Sequence, residues 1–415
     1  MEWLLTIIDD ISGRKLLIAC SIGYAIYYLC QVVKKPMLAC SEGPFRNFLL
    51  DNVPLLEQKF WPTLWCVEAR AQTVLASLLR SRLLPTVKYR REILTLADGG
   101  EIGLDWLETG CDLKAPVILI LPGLTGESQA EYIKCLALSA NNIGVRCVVF
   151  NNRGLAGVQL KTPRLYCAAN VDDLSEVVEH VHSLHSDVPL GAVGISMGAL
   201  LLGNYIAMRS KRASALLTAA MIISAPWNVF KGTISIEKPY LNNMLGRYLA
   251  SNLCTTLKQY KTQMIGPWDM DKVLASKTIK EFDENFTTLH FGYKDIDDYY
   301  SAATLHNKID RMTVPLLCLS AADDPFQPLD AIPMDQAENS SHVAIAVTAR
   351  GGHIGFMDGL WPLSQNQYMA RLFQQYFSAV FNANNDIINA MKKKINVPDE
   401  TDMNLYSTIT NSINM

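Results

Sequence analysis

The chain has 415 residues with 37 basic and 40 acidic side chains, a net charge of −3. That balance excludes a general nucleic-acid binder, which needs a basic surplus against phosphate, and 49% hydrophobic content excludes a disordered, collagenous or coiled-coil chain. With 19% charged residues and a mean hydropathy of +0.11, some part of the chain must be unusually apolar.

Residues 16–33 read LLIACSIGYAIYYLCQVV, without a charge and with one strongly polar side chain, Gln31. At about 1.5 Å per residue this run spans roughly 27 Å, close to the hydrocarbon core of a bilayer. Residues 1–35 are therefore expected to form a single-pass membrane anchor. Glu2, Asp9 and Asp10 argue against a cleaved signal peptide; a buried core helix is the other competing reading. Arg14 and Lys15 before the run and Lys34 and Lys35 after it are too balanced to orient it. The ten cysteines form no C-x-x-C pair and no zinc spacing, so buried reduced thiols are expected rather than a disulfide framework. Residues 36–86, punctuated by Pro and Arg, read as a connector with one or two helices.

From residue 87 the pattern changes. Two apolar runs around Asp98-Gly99-Gly100 signal a hairpin. Continuous apolar runs at 117–121, 145–150, 190–195, 221–225, 316–320 and 344–348 then alternate with helical periods. This is the pattern of a mostly parallel sheet flanked by helices. The interval 226–314 breaks the rhythm and is expected to be a helical lid inserted at the carboxyl edge of the sheet. The catalytic domain is placed at 87–381, and a tail at 382–415 carries Lys392, Lys393 and Lys394 on a solvated helix end.

The strongest local signal is Gly194-Ile195-Ser196-Met197-Gly198 between an apolar strand and an apolar helix. A sharp strand-to-helix turn exposes the serine hydroxyl, and glycines on both sides remove steric conflict. Serine needs a base oriented by an acid, in the chain order Ser, acid, His for this type of fold. That order sets aside His180, His182, His185, His290 and His306. His353, in a glycine-rich loop after the last strand, is favoured over His342, which precedes that strand. The acid is Asp323 or Asp324 after the strand at 316–320, with Asp324 favoured beside Pro325. Leu121-Pro122-Gly123-Leu124 follows the strand at 117–121, so the N–H groups of Leu124 and Met197 are the expected oxyanion hole. Such chemistry needs no metal and no organic cofactor.

LPGLTG, Phe150-Asn151-Asn152-Arg153-Gly154, GISMG, AADDPF and GGHIGF occur in this order over 116–356, behind an apolar N-terminal segment. In this the chain resembles the α/β-hydrolases, and within them the membrane-anchored abhydrolase-domain proteins one and three. The resemblance implies a serine hydrolase with Ser196, Asp324 and His353 as its triad and a type II single-pass topology. It further implies acyl esters as substrates, with phosphatidylcholines of short or medium acyl chain foremost. Arg153 is expected either to touch a lipid phosphate or to brace its loop. A carboxylesterase or acyltransferase uses the same residues, and a non-catalytic lipid-binding scaffold would keep the fold without needing the triad. The expected partners are a phospholipid or acyl ester substrate and the bilayer.

Overall fold

The computed structural model describes residues 13–361 and 366–392. Glu2, Asp9, Asp10, Lys393 and Lys394 lie outside the described residues. Among the described residues nine strands form one sheet: β1 (Met37–Ala39), β2 (Arg90–Thr95), β3 (Glu101–Leu107), β4 (Val117–Leu121), β5 (Arg146–Asn151), β6 (Leu190–Ile195), β7 (Ala219–Ile223), β8 (Leu316–Ala321) and β9 (Val343–Thr348). Their order is β1-β9-β8-β7-β6-β4-β5-β3-β2. From β5 across to β9 the neighbours are parallel, while β1, β3 and β2 join antiparallel at the edges.

Both faces of the parallel strands are covered, which is why they read as unbroken apolar runs. Val117, Leu119 and Leu121 enter one core, and Ile118 and Ile120 enter the other. The hairpin turn is closed where the Leu96 N–H donates to Gly100 O at 2.8 Å, with Gly99 at φ 79°.

The order in which the chain adds strands reverses at β4, which lies between β5 and β6. At such a switch point the loops leaving the carboxyl ends part and leave a crevice. Register pairs Leu121 with Gly194, so the LPGLTG and GISMG segments emerge side by side. The loops after β8 and β9 leave the same edge because those strands run parallel to β6 through β7. Between β7 and β8 lie helices, the longest being Leu241–Gln259, and no strand among the described residues. This is the expected helical insertion.

Residues 36–86 hold two α-helices, Pro44–Asn52 and Ala69–Leu83, and also β1, an edge strand not read from the sequence. Arg80 is buried and donates to Ile354 O at 2.8 Å and to Gln367 Oε1 at 3.2 Å, which ties the segment to the histidine loop. The N-terminal helix Gly13–Tyr27 continues as a π-turn through Val32. Leu16, Leu17 and Ile18 are exposed, whereas Tyr28, Val32 and Val33 are buried against the body. The span Lys15–Val32 has the length and composition of a membrane crossing, and its exposure rules out the buried core helix. None of the ten cysteines forms a disulfide. Lys392 departs from expectation: its half-buried side chain turns back on the domain and donates to Ser214 O at 2.7 Å and Leu217 O at 2.6 Å. Burial lowers its pKa to about 8.

Candidate active site

Ser196 sits at φ 55° and ψ −115°, between β6 and the helix Met197–Met208. A non-glycine residue is strained there, and the flanking glycines make the turn possible. A Cβ on Gly194 would strike the backbone of Gly198, and one on Gly198 would come within 2.5 Å of Pro122 O. The Ser196 N–H donates to Ile223 O at 2.9 Å, which holds the turn against β7.

His353 brings its Nε2 to 2.9 Å from Ser196 Oγ and its Nδ1 to 2.9 Å from Asp324 Oδ2. His353 and Asp324 are both buried. The second Asp324 oxygen accepts from the Phe326 N–H at 2.8 Å, which leaves the first aimed at the histidine. The Phe326 ring packs on the imidazole with centroids 4.4 Å apart.

Asp323 does different work. Its Oδ1 accepts from the Gly352 N–H at 3.0 Å, fixing the loop that presents His353. Burial raises its pKa to about 6, opposed by the Gly352 bond and Arg350.

Several supports lie outside the motifs. The His353 N–H donates to Thr73 Oγ1 at 2.9 Å, and the Ile354 N–H donates to Ser224 Oγ at 3.1 Å. Gly352, at φ 58°, lies so close to Ala69 O that a Cβ would collide with it. The Tyr132 hydroxyl accepts from the Gly123 N–H at 3.0 Å and holds the loop that carries Leu124. Nothing local in the sequence marks Thr73, Ser224 or Tyr132, because each acts through a contact distant along the chain.

Leu124, Ser196, Met197 and His353 open onto a cavity of about 170 Å³, walled further by Leu253, Phe282 and Phe286 of the insertion. One buried acid, Asp283, also lines it. Thr287 Oγ1 donates to Asp283 Oδ1 at 2.7 Å. Burial nevertheless raises the Asp283 pKa to about 7, against the lowering effect of its bonds to Thr287 and Tyr300. The sequence does not distinguish it from the neighbouring Glu281 and Glu284.

Arg153 is buried but does not line the cavity. Its guanidinium makes paired bonds to Asp173 (2.6 and 2.8 Å) and to Asp98 (2.7 and 2.9 Å), with a further bond to Thr162 at 2.8 Å. These bonds occupy its donors. Among the described residues no cluster of three or more His, Cys, Asp or Glu side chains is placed to hold a metal ion.

Residues 116–360 match the family model for the alpha/beta hydrolase fold. The chain belongs to the α/β hydrolase family. It is 41% identical over 383 residues to Phospholipase ABHD3 of Mus musculus, covering 91% of this chain and 92% of the relative. With Protein abhd-3.2 of Caenorhabditis elegans it shares 34% identity, covering 80% and 88%. Monoacylglycerol lipase ABHD2 of Bos taurus is more distant, at 23% identity and coverage of 89% and 92%. The Thr73 support lies outside the segment matched to the family model.

Proposed function

We propose that this α/β hydrolase cleaves acyl ester bonds of phospholipids held in a membrane, foremost phosphatidylcholines with a short or medium acyl chain. The observation that carries the reading is the continuous hydrogen-bonded line Ser196–His353–Asp324 at the mouth of an apolar cavity. The relatives named as phospholipases support the substrate class, and the apolar lining of the cavity suits an acyl chain. An apolar helix of membrane-spanning length at Lys15–Val32 supports a single-pass anchor, and its type II orientation rests on the family resemblance.

In this mechanism the Ser196 oxygen attacks the ester carbonyl carbon while His353 Nε2 takes the hydroxyl proton. Asp324 holds Nδ1–H and stabilises the imidazolium that forms. The carbonyl oxygen becomes an oxyanion that accepts from the N–H groups of Leu124 and Met197. Collapse breaks the ester C–O bond, and His353 passes its proton to the departing lysophospholipid oxygen. Water, deprotonated by His353, then attacks the acyl-serine, releasing the fatty acid and returning the proton to Ser196. The positive end of the helix Met197–Met208 favours the same negative charge.

A fluorophosphonate probe tests the nucleophile and mass spectrometry of vesicle lipids tests the substrate. Wild type should take the label and release lysophosphatidylcholine from short-chain phosphatidylcholine, and Ser196→Ala should do neither. Labelling without phospholipid turnover would keep the serine hydrolase and move the substrate to simple carboxylic esters.

A further inference from the structure

An apolar helix exposed to its base is one surface that water does not suit; a second one surrounds that base. Trp61, Leu64, Trp65, Leu360 and Trp361 are 51%, 38%, 47%, 61% and 69% exposed, whereas Trp106 and Trp227 are buried in the core. They come from two loops that are joined to each other. The Thr63 N–H donates to Met357 O at 3.0 Å, Trp65 Nε1–H donates to Leu360 O at 2.8 Å, and the Trp65 and Trp361 rings stand 6.2 Å apart. The same loops grip the helix. Tyr28 Oη donates to Pro62 O at 2.5 Å, Tyr24 Oη to Leu64 O, and the Phe60 N–H to Lys34 O at 2.9 Å. Lys34 and Lys59 are exposed beside them.

Tryptophan, with an apolar ring and one N–H donor, favours the boundary between lipid headgroups and acyl chains, and lysine favours its aqueous side. Exposed contiguous apolar side chains mark an interaction surface. Here the surface is continuous with the helix Lys15–Val32 through two hydrogen bonds and with Lys34 just beyond it through a third, which selects the occupant. We propose that the Trp61, Trp65 and Trp361 loops form a second membrane contact, a collar seated in the bilayer interface around the foot of the anchor. This inference rests on the anchor reading and adds to it: the catalytic domain is docked on the bilayer in one orientation instead of moving freely on a tether.

The collar is coupled to the site. The chain passes from His353 to Trp361 within eight residues, and Arg350 donates to Tyr27 Oη at 2.9 Å. The insertion reaches the same end of the molecule: Arg70, which shares a recess with Tyr27, donates to Asn242 Oδ1 at 2.7 Å. From there the outer residues Leu241, Met244 and Tyr248 of the long lid helix are exposed, while Leu249 and Leu253 line the cavity. Docking would hold this helix against lipid on one side and over the cavity on the other.

The test uses the full chain in phosphatidylcholine vesicles, with and without lipids brominated on the upper acyl carbons. Retention of the protein after an alkaline carbonate wash reports the anchor alone. Bromine quenching of tryptophan reports contact with lipid, and Trp61→Phe/Trp65→Phe/Trp361→Phe removes the three reporters at little risk to folding, checked by fluorophosphonate labelling. The collar predicts that the triple variant loses at least half of the bromine-dependent quenching, and that Trp361→Phe alone loses part of it. Equal quenching in triple variant and wild type, with the protein still retained, overturns the collar and leaves the anchor standing. Shielding of the three tryptophans from aqueous acrylamide without bromine quenching also overturns it, and assigns the face to a protein contact. Release by carbonate overturns the anchor reading itself.

Discussion

The main-chain N–H of His353 is held by the side chain of Thr73 at 2.9 Å. The imidazole between Ser196 and Asp324 is therefore aimed by a helix that precedes the first strand of the hairpin. Glycine at 352 lets the loop lie against the backbone of that helix at Ala69.

Thr73→Val keeps the shape of the side chain and removes the acceptor. An N–H left without its partner costs about 1–3 kcal/mol, so kcat should fall about 5- to 100-fold with little change in KM. Steady-state kinetics on a soluble short-chain ester, alongside a thermal melt to confirm folding, checks this. A change confined to KM would contradict the positioning role.

Asp324→Asn and Asp323→Asn should separate cleanly. The first leaves the histidine with the wrong hydrogen-bond partner, and kcat should drop by about 10³–10⁴, as amide replacement does in other serine triads. The second retains an oxygen for the Gly352 N–H and should cost less than about tenfold at neutral pH. Comparable losses in the two variants would reassign the acid.

Gly198→Ala places a methyl group against the carbonyl groups of Leu121 and Pro122, which are backbone and have little room to move. Overpacking of this kind costs about 1–3 kcal/mol or more. It would also push apart the two loops that carry Leu124 and Met197. Fluorophosphonate labelling should slow by more than the loss in melting temperature accounts for.

Asp283 should give stability a pH dependence of defined sign. Its folded pKa of about 7 lies above the ordinary carboxyl value of 3.8, so the folded state holds the proton more tightly than the unfolded state. Its contribution favours folding most below the lower value and declines as pH rises from about 4 to about 7. Asp283→Asn removes that decline, so the melting temperature of the variant minus that of wild type should increase over this window and then level off. A difference independent of pH would show that the carboxyl is ionised throughout.

Arg153→Ala leaves Asp98 and Asp173 with only the partly exposed Arg164, 3.3 and 3.6 Å away, and breaking a buried pair in this way costs about 3–5 kcal/mol. The melting temperature should fall sharply, while turnover per labelled active site should stay within a few fold of wild type. A selective loss on phospholipid relative to a neutral ester would instead indicate contact with the phosphate.

Much of the site is legible in the order of residues because its parts are governed by local rules. The unbroken apolar runs at Val117–Leu121 and Leu190–Ile195 can be buried on both faces only in a covered parallel sheet. Gly194 and Gly198 announce a turn too tight for side chains. With the strands parallel, the segments that follow them emerge at one edge, which is why Ser196, Asp324 and His353 could be named together from their order. The choice between Asp323 and Asp324 depended on which carboxylate points at an imidazole 29 or 30 residues away, and adjacent residues carry no local mark of that. Arg153 was open between two roles for the same reason: its partners Asp98 and Asp173 lie 55 and 20 residues off.

The apolar surplus of this 415-residue chain has a comparable division. Sequence alone determines that residues 16–33 can span a bilayer, since length and absence of charge are properties of the segment itself. Which tryptophans are buried and which are left outside is decided only when the chain is folded. Trp106 and Trp227 vanish into the core, whereas Trp61, Trp65 and Trp361 gather exposed around the foot of the helix. Burial is set by what packs against a side chain, and for Trp65 that neighbour, Leu360, stands 295 residues away.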